Sequence, residues 1–257
     1  MKTMHDTSPA AAAARILAER RKTGEQGPRL PEWCRPLDIE AALTIQSEVS
    51  RLLGESVAAW KCGTPAEGRV VLAPIHASKV NHTSPCTVRA RQGQVRIEPE
   101  LAFILGRDLP PREAPYLPVE IDAAISGTHL ALELIESRYA DPTSAGFVEN
   151  LADGLLNQGL FIGPRVDGDK ARLAAAIPLC VRDETGEEKQ LDGHHPNADP
   201  RAPLYWLAEF LRSRGTGLTA GQTVITGSYA GSFDVPAGQH ITIQYGGLGE
   251  LRVRFSI

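Results

Sequence analysis

Apolar and polar positions follow two different rhythms along this chain, with a changeover near residue 55. Over 8–22 and 38–53 the apolar residues recur at helical spacing. Ser8 before Pro9 and Asp38 before Ile39 read as N-caps, and Gly24 and Gly54 as stops, so two helices are predicted. Beyond them the apolar runs shorten and alternate with period two. Strands are predicted over 56–62, 70–75, 86–88, 97–105, 129–137, 160–163, 223–226, 240–244 and 251–255. Asp183-Glu184-Thr185-Gly186 reads as a hairpin turn between 179–181 and 189–191. Gly246-Gly247-Leu248-Gly249 reads as another turn, because no helix follows it to receive a phosphate. Helices are expected over 118–126, within 143–159, and from Asp199-Pro200 to Gly215, the last with Leu204, Trp206, Leu207, Phe210 and Leu211 as its apolar side. Short strands with helices interspersed, lacking a regular βαβ period, predict an α+β fold with a mixed sheet. The division is a helical section, 1–55, leading into a β-rich core, 56–257.

The pattern is broken where carboxylates occupy strand faces that otherwise read as buried. On 97–105, Glu98, Glu100, Ala102 and Ile104 share one face, and Ile97, Pro99, Leu101, Phe103 and Leu105 the other. On 129–137, Glu133 shares a face with Ala131 and Ile135. Buried carboxylates need protons, basic partners or a cation. Their oxygens are hard ligands, suited to Mg²⁺ or Mn²⁺ in an octahedral site, whereas exposed carboxylates beside turns would need no ion. Lys61, in Ala58-Ala59-Trp60-Lys61-Cys62-Gly63, reads as a surface charge at a strand end or as a positioned cation, the surface reading being favoured.

Composition narrows the function classes. The chain is 42% hydrophobic over 257 residues, with a formal net charge of −4. No basic run stands out, which argues against nucleic acid or an anionic membrane as partner. No apolar run is long enough to span a bilayer, and Met1-Lys2-Thr3-Met4-His5-Asp6 lacks the apolar core of a signal peptide, so a cytoplasmic protein is expected. Cys34, Cys62, Cys86 and Cys180 are scattered without a C-x-x-C pair and are expected to be buried thiols. His194-His195 lies in a polar loop and reads as solvent-facing, and the isolated His76, His82, His129 and His240 read as structural. No nucleophile elbow is present.

Taken together, several segments make the chain resemble the 2-keto-4-pentenoate hydratase / 4-oxalocrotonate decarboxylase family of the fumarylacetoacetate hydrolase superfamily. The carriers are Trp60-Lys61-Cys62-Gly63-Thr64, Glu98-Pro99-Glu100-Leu101-Ala102-Phe103, Glu133-Leu134-Ile135-Glu136-Ser137-Arg138, Pro203-Leu204-Tyr205-Trp206-Leu207-Ala208 and 218–227 with its Ala-Gly-x-x-Val-x-Thr-Gly. The resemblance spans about 41–255. It implies a mixed β-roll core with flanking helices, usually in homo-oligomers, and Glu98, Glu100 and Glu133 as ligands of Mg²⁺ or Mn²⁺. It further implies Lys61 as the active-site lysine, Asp153 as a second catalytic residue, and Leu101 (through its backbone), Asn157, Thr226 and Gly227 along the substrate pocket.

The activity implied is a lyase that adds water to a 2-hydroxy-2,4-dienoate or its 2-oxo tautomer through a metal-chelated dienolate. Decarboxylation of a 4-oxalocrotonate-type acid uses the same electron sink. Acylpyruvate C–C hydrolysis would need a His–Glu pair on an N-terminal loop, and no clear one is seen. A non-catalytic subunit supporting a pathway partner enzyme is a further alternative. Two segments depart from the family pattern. Hydratases carry an acid in the loop that here reads His76-Ala77-Ser78-Lys79-Val80-Asn81-His82. The family's Ala-Asp-Asn-Ala-Ser-Ser becomes Ala152-Asp153-Gly154-Leu155-Leu156-Asn157, which implies a more apolar wall and a different distal specificity.

Overall fold

In the computed structural model, which describes residues 8–257, the chain turns around the strand that carries Glu98 and Glu100. The helical section is α1 (Pro9–Thr23) and α2 (Ile39–Leu53), capped as their sequences indicate: Ser8 and Asp38 accept from Ala11 and Ala41 N–H, and Gly24 and Gly54 close them in left-handed conformation. Residues 1–7 of the expected section lie outside the described residues. There follow β1 (Val57–Ala66), β2 (Arg69–His76), β3 (Val80–Asn81), β4 (Cys86–Thr87), β5 (Gln94–Leu105), α3 (Pro118–Asp122) and β6 (Ile125–Ile135). Then come α4 (Phe147–Ala152), β7 (Asn157–Val166), α5 (Gly168–Arg172), β8 (Ala176–Arg182), β9 (Glu188–His194) and α6 (Ala202–Ser213). The tail is β10 (Thr223–Ile225), β11 (Phe233–Pro236), β12 (His240–Tyr245) and β13 (Gly249–Ser256).

These strands form two sheets. The larger runs β2-β1-β10-β5-β6-β7-β3, with β11 added to β5, and is mixed, since β1 pairs with β10 and β3 with β7 in parallel. The smaller runs β4-β13-β12-β8-β9. Leu101, Phe103, Leu105, Leu130, Leu132 and Leu134 belong to the main core with Ile241, Ile243, Val253 and Phe255 of the smaller sheet and Leu204, Leu207 and Leu211 of α6. A second core joins α1 and α2 to Tyr139, Ala145, Leu151 and Ala152, so the helical section packs on the segment leading into β7. Gln46, buried on α2, ties the two by donating to Leu72 O at 2.9 Å and to Leu151 O.

Two local expectations are corrected. The helix expected over 118–126 is one turn, because from Ile125 onward the chain is bound along β5, beginning with the pair Leu105↔Ile125. The helix within 143–159 begins after Gly146, not at Thr143 or Ser144; Glu149 folds back to accept from Gly146 N–H, while Thr143 and Ser144 are engaged with Asp141. Helix α5 and strand β11 carry no period long enough to be read. Both hairpins hold: Arg182 pairs with Glu188 and Tyr245 with Gly249.

Candidate metal centre

The site is built from rows of side chains on one face of the larger sheet. Directly paired residues of neighbouring strands share a face. Glu98, Glu133 and Leu160 form one row across β5, β6 and β7; Glu100, Ala131 and Ile162 form the next. Lys61, Ile225, Ala102 and His129 form a third, across β1, β10, β5 and β6. Ala59, Ile75, Ala102, Ala131, Leu160, Ile162 and Ile225 make this face an apolar cluster of its own, dominated around the carboxylates by small alanines.

In this dry setting one oxygen from each of Glu98, Glu100 and Glu133 lies within 4.8 Å of the others. Glu100 and Glu133 are buried, and Glu98 is half-buried. Burial, then the charge of Glu133, pushes the Glu98 carboxyl up from its ordinary range; the same two causes push Glu100 well up. Each carboxylate has its own support. Gly227 N–H donates to Glu100 Oε2 at 2.7 Å. Asn157 Nδ2 donates to Glu133 Oε1 at 2.8 Å, and Lys61 Nζ stands 2.7 Å from the same oxygen. Glu133 Oε2, equally buried, receives no hydrogen bond.

Lys61 is therefore inside the site, not on the surface as the residue pattern alone favoured. It reaches Glu133 from two strands beyond β5 because the sheet curls, and it also donates to Leu155 O at 3.2 Å. Burial works to lower its pKa, but Glu133, Glu98 and Glu100 outweigh it and the net direction is up. The carbonyl it meets belongs to an unusual turn: Gly154, Leu155 and Leu156 all have positive φ, at 80°, 52° and 66°. Two leucines in the left-handed region hold strained backbone beside the site.

The other residues implied by the resemblance divide. Thr226 is buried, its Oγ1 3.4 Å from His195 Nε2. Leu101 points its side chain into the main core, on the face opposite the carboxylates, which leaves only its backbone to take part. Asp153 is buried but turned to Arg138, whose Nε lies 2.8 Å from both its oxygens, with Arg21 3.6 Å away on the other side. That carboxylate is spent on Arg138 and Arg21 and does not join the triad.

His195 corrects the solvent-facing reading of the pair: His194 is exposed but His195 is buried. Its ring lies 5.2 Å from that of Tyr229, and burial lowers its pKa. A polar loop sequence hid this, since only the packing of the β9–α6 connection against Thr226 and Gly227 encloses the ring. Gly227 has φ 137°, and a Cβ there would stand 3.2 Å from the Pro196 ring.

The donor set fits a hard divalent cation. Three carboxylates face one ammonium, a surplus of two negative charges in a place where unpaired charge is costly, and one buried oxygen awaits a partner.

Comparison with known proteins gives a consistent set of relatives. The model of the fumarylacetoacetate (FAA) hydrolase C-terminal domain matches residues 55–256. The 2-keto-4-pentenoate hydratase of Paraburkholderia xenovorans (strain LB400) is 25% identical over 162 residues, covering 63% of this chain and 59% of that protein. In this match the chain therefore spans less than two thirds of the relative's length. The 2-keto-4-pentenoate hydratase of Burkholderia vietnamiensis (strain G4 / LMG 22486) is 26% identical over 266 residues, covering 98% of this chain and 100% of that one. Among solved structures, 4-oxalocrotonate decarboxylase from Pseudomonas putida G7, complexed with magnesium and adipate, superposes with a TM-score of 0.75 at 19% identity, over 96% of this chain and 97% of that chain. The two share the fold.

Proposed function

This chain belongs to the fumarylacetoacetate hydrolase family, and from that premise we propose that it is a divalent-metal-dependent lyase that adds water to a 2-hydroxy-2,4-dienoate or 2-oxo-enoate. The observation that carries the reading is the convergence of Glu98, Glu100 and Glu133 around a buried, unpartnered oxygen with Lys61 at its edge. The three glutamates would hold Mg²⁺ or Mn²⁺, the choice favoured by an all-oxygen donor set. When bound, such an ion supplies Lewis acidity toward the adjacent carboxylate and 2-oxygen of a 2-oxo acid.

The chain's own groups supply the rest. Lys61, held as an ammonium by the surrounding carboxylates, attracts and orients the substrate carboxylate and does not act as a base. Asn157 and Gly227 fix Glu133 and Glu100 in place, so no reorganisation of these ligands is needed during the reaction. Ile162, Leu160 and Ile225 keep water from the inner side of the site, and Thr226 lies where the substrate would be enclosed. The helical section and the core act as one unit, with Asp153 joining them through Arg21 of α1.

One observation favours decarboxylation as the second reading. The segment 77–81 offers no carboxylate where the family's hydratases carry an acid, and loss of CO₂ needs no activated water. In either case the partner is a small carboxylic acid. Incubation with 2-hydroxypenta-2,4-dienoate and with 4-oxalocrotonate, each with Mg²⁺ or with EDTA, tests the proposal by mass spectrometry. Metal-dependent gain of water is expected with the first substrate. Metal-dependent loss of CO₂ from the second alone would replace hydration by decarboxylation, and turnover of neither would overturn both.

A further inference from the structure

A cavity of about 560 Å³ lies away from the carboxylate triad. It lies between the end of α1, the 77–81 segment, the 87–91 segment and the end of β6, and it is lined by Arg21, Lys79, Arg89, Arg91, Arg138 and Glu136. Leu134 also lines it, whereas its neighbour Glu133 turns to the opposite face of β6, so the cavity and the triad lie on different sides of that strand. Its volume is that of a small-molecule site.

Its charge is unbalanced. Five cationic side chains meet two carboxylate side chains, Glu136 and, behind the wall, Asp153, a surplus of three positive side-chain charges in a chain whose formal net charge is −4. Arg91 Nη2 pairs with Glu136 Oε1 at 2.8 Å, and Arg89 Nη1 stands 3.8 Å from Glu136 Oε2. Arg138 spends its Nε on Asp153. Lys79 has no ion pair among the described residues and is exposed at the rim. The floor is the more telling part. Arg138 is buried there and Arg21 half-buried, and the Arg21 guanidinium is driven down to about 10 by the loss of solvent and then by the charges of Arg138 and Arg89. Like charges gathered at this density are held against their mutual repulsion, and an anion between them would relieve it. Guanidinium groups suit oxyanions in particular, because their planar forks match carboxylate and phosphate oxygens.

We propose that this cleft is a second ligand site, which takes a small oxyanion of two or more negative charges, either a polycarboxylate or a phosphate. It is independent of the metal-centred reaction. The triad lies on the opposite side of β6, so variants at the rim of the cleft and at Glu98 tell the two places apart.

The test is calorimetric titration of EDTA-treated full-length protein with tricarballylate and, separately, with inorganic phosphate. At least one of them binds; tricarballylate alone identifies a carboxylate site, and phosphate alone a phosphate site. Reversing the rim with Lys79→Glu and Arg91→Glu together weakens that binding at least about tenfold, and Lys79→Ala alone, which cannot harm folding from its exposed position, weakens it about threefold. Glu98→Gln leaves it unchanged. Binding of neither probe, binding that survives both rim variants, or binding lost in Glu98→Gln would overturn the proposal, whether or not the lyase assay succeeds.

Discussion

Glu133 has its two oxygens in different states: Oε1 meets both Lys61 and Asn157, while Oε2 is buried with no donor. Asn157 thus decides which oxygen is left for an ion. In Asn157→Leu, which keeps the volume and deletes the donor, Mg²⁺ or Mn²⁺ affinity falls about tenfold or more, read as a weaker metal-dependent rise in melting temperature. An unchanged response would remove the positioning role. Gly227 supports Glu100 in the same manner, but with its backbone. In Gly227→Ala the new methyl meets the Pro196 ring in a backbone conformation that alanine rarely adopts. We expect a loss of about 1–3 kcal/mol in denaturant unfolding together with a weaker metal response. Wild-type stability in this variant would show that the loop yields easily.

Among the elements, α2 and β2 meet at a buried histidine. His76, at the end of β2, places Nε2 3.0 Å from Ser50 Oγ on α2. Burial, then the charge of Arg21, lowers its pKa from 6.5 to about 4. The unfolded chain takes up this proton first as pH falls. The stability that neutral His76 contributes is therefore present above pH 6.5 and is lost as pH falls toward about 4. We expect an acid-limb loss of about 2 kcal/mol, allowing for solvent screening, that is missing in His76→Gln. Denaturant titrations at pH 7, 5.5 and 4 would give parallel profiles for the two proteins if His76 did not titrate in that window.

Over the whole molecule, charge is distributed so that neither of its two unbalanced clusters is visible in the total. The triad has surplus negative charge and the cleft beyond β6 surplus positive charge. Removing metal with EDTA should therefore lower the melting temperature, since the stabilisation that a bound ion gives the native state is then lost. Glu98→Gln separates the two effects. In EDTA it melts above the parent, because one repelling charge is gone, and it gains nothing from added Mg²⁺ or Mn²⁺. A variant that kept the parent's metal response would remove Glu98 from the ligand set. No helix of the described residues is long and apolar enough to cross a membrane.

What the sequence determined by itself was local in origin. Period-two alternation and turn residues gave the strands and hairpins, and caps gave α1 and α2, because these signals act over a few residues. Alternation also put Glu98 and Glu100 on one face, whereas the pair Glu98↔Glu133 depends on the register in which β6 lies antiparallel along β5. What tertiary structure alone decided depends on segments far apart in the chain. Lys61 is in the site because β10, from the C-terminal tail, inserts between β1 and β5 and the sheet curls. His195 is buried because a polar loop packs on Thr226. The five cations of the cleft come from four separate segments, so no basic run announced them. Local pattern records which way a side chain points on its own strand, and only the closing of the sheet fixes what it meets there.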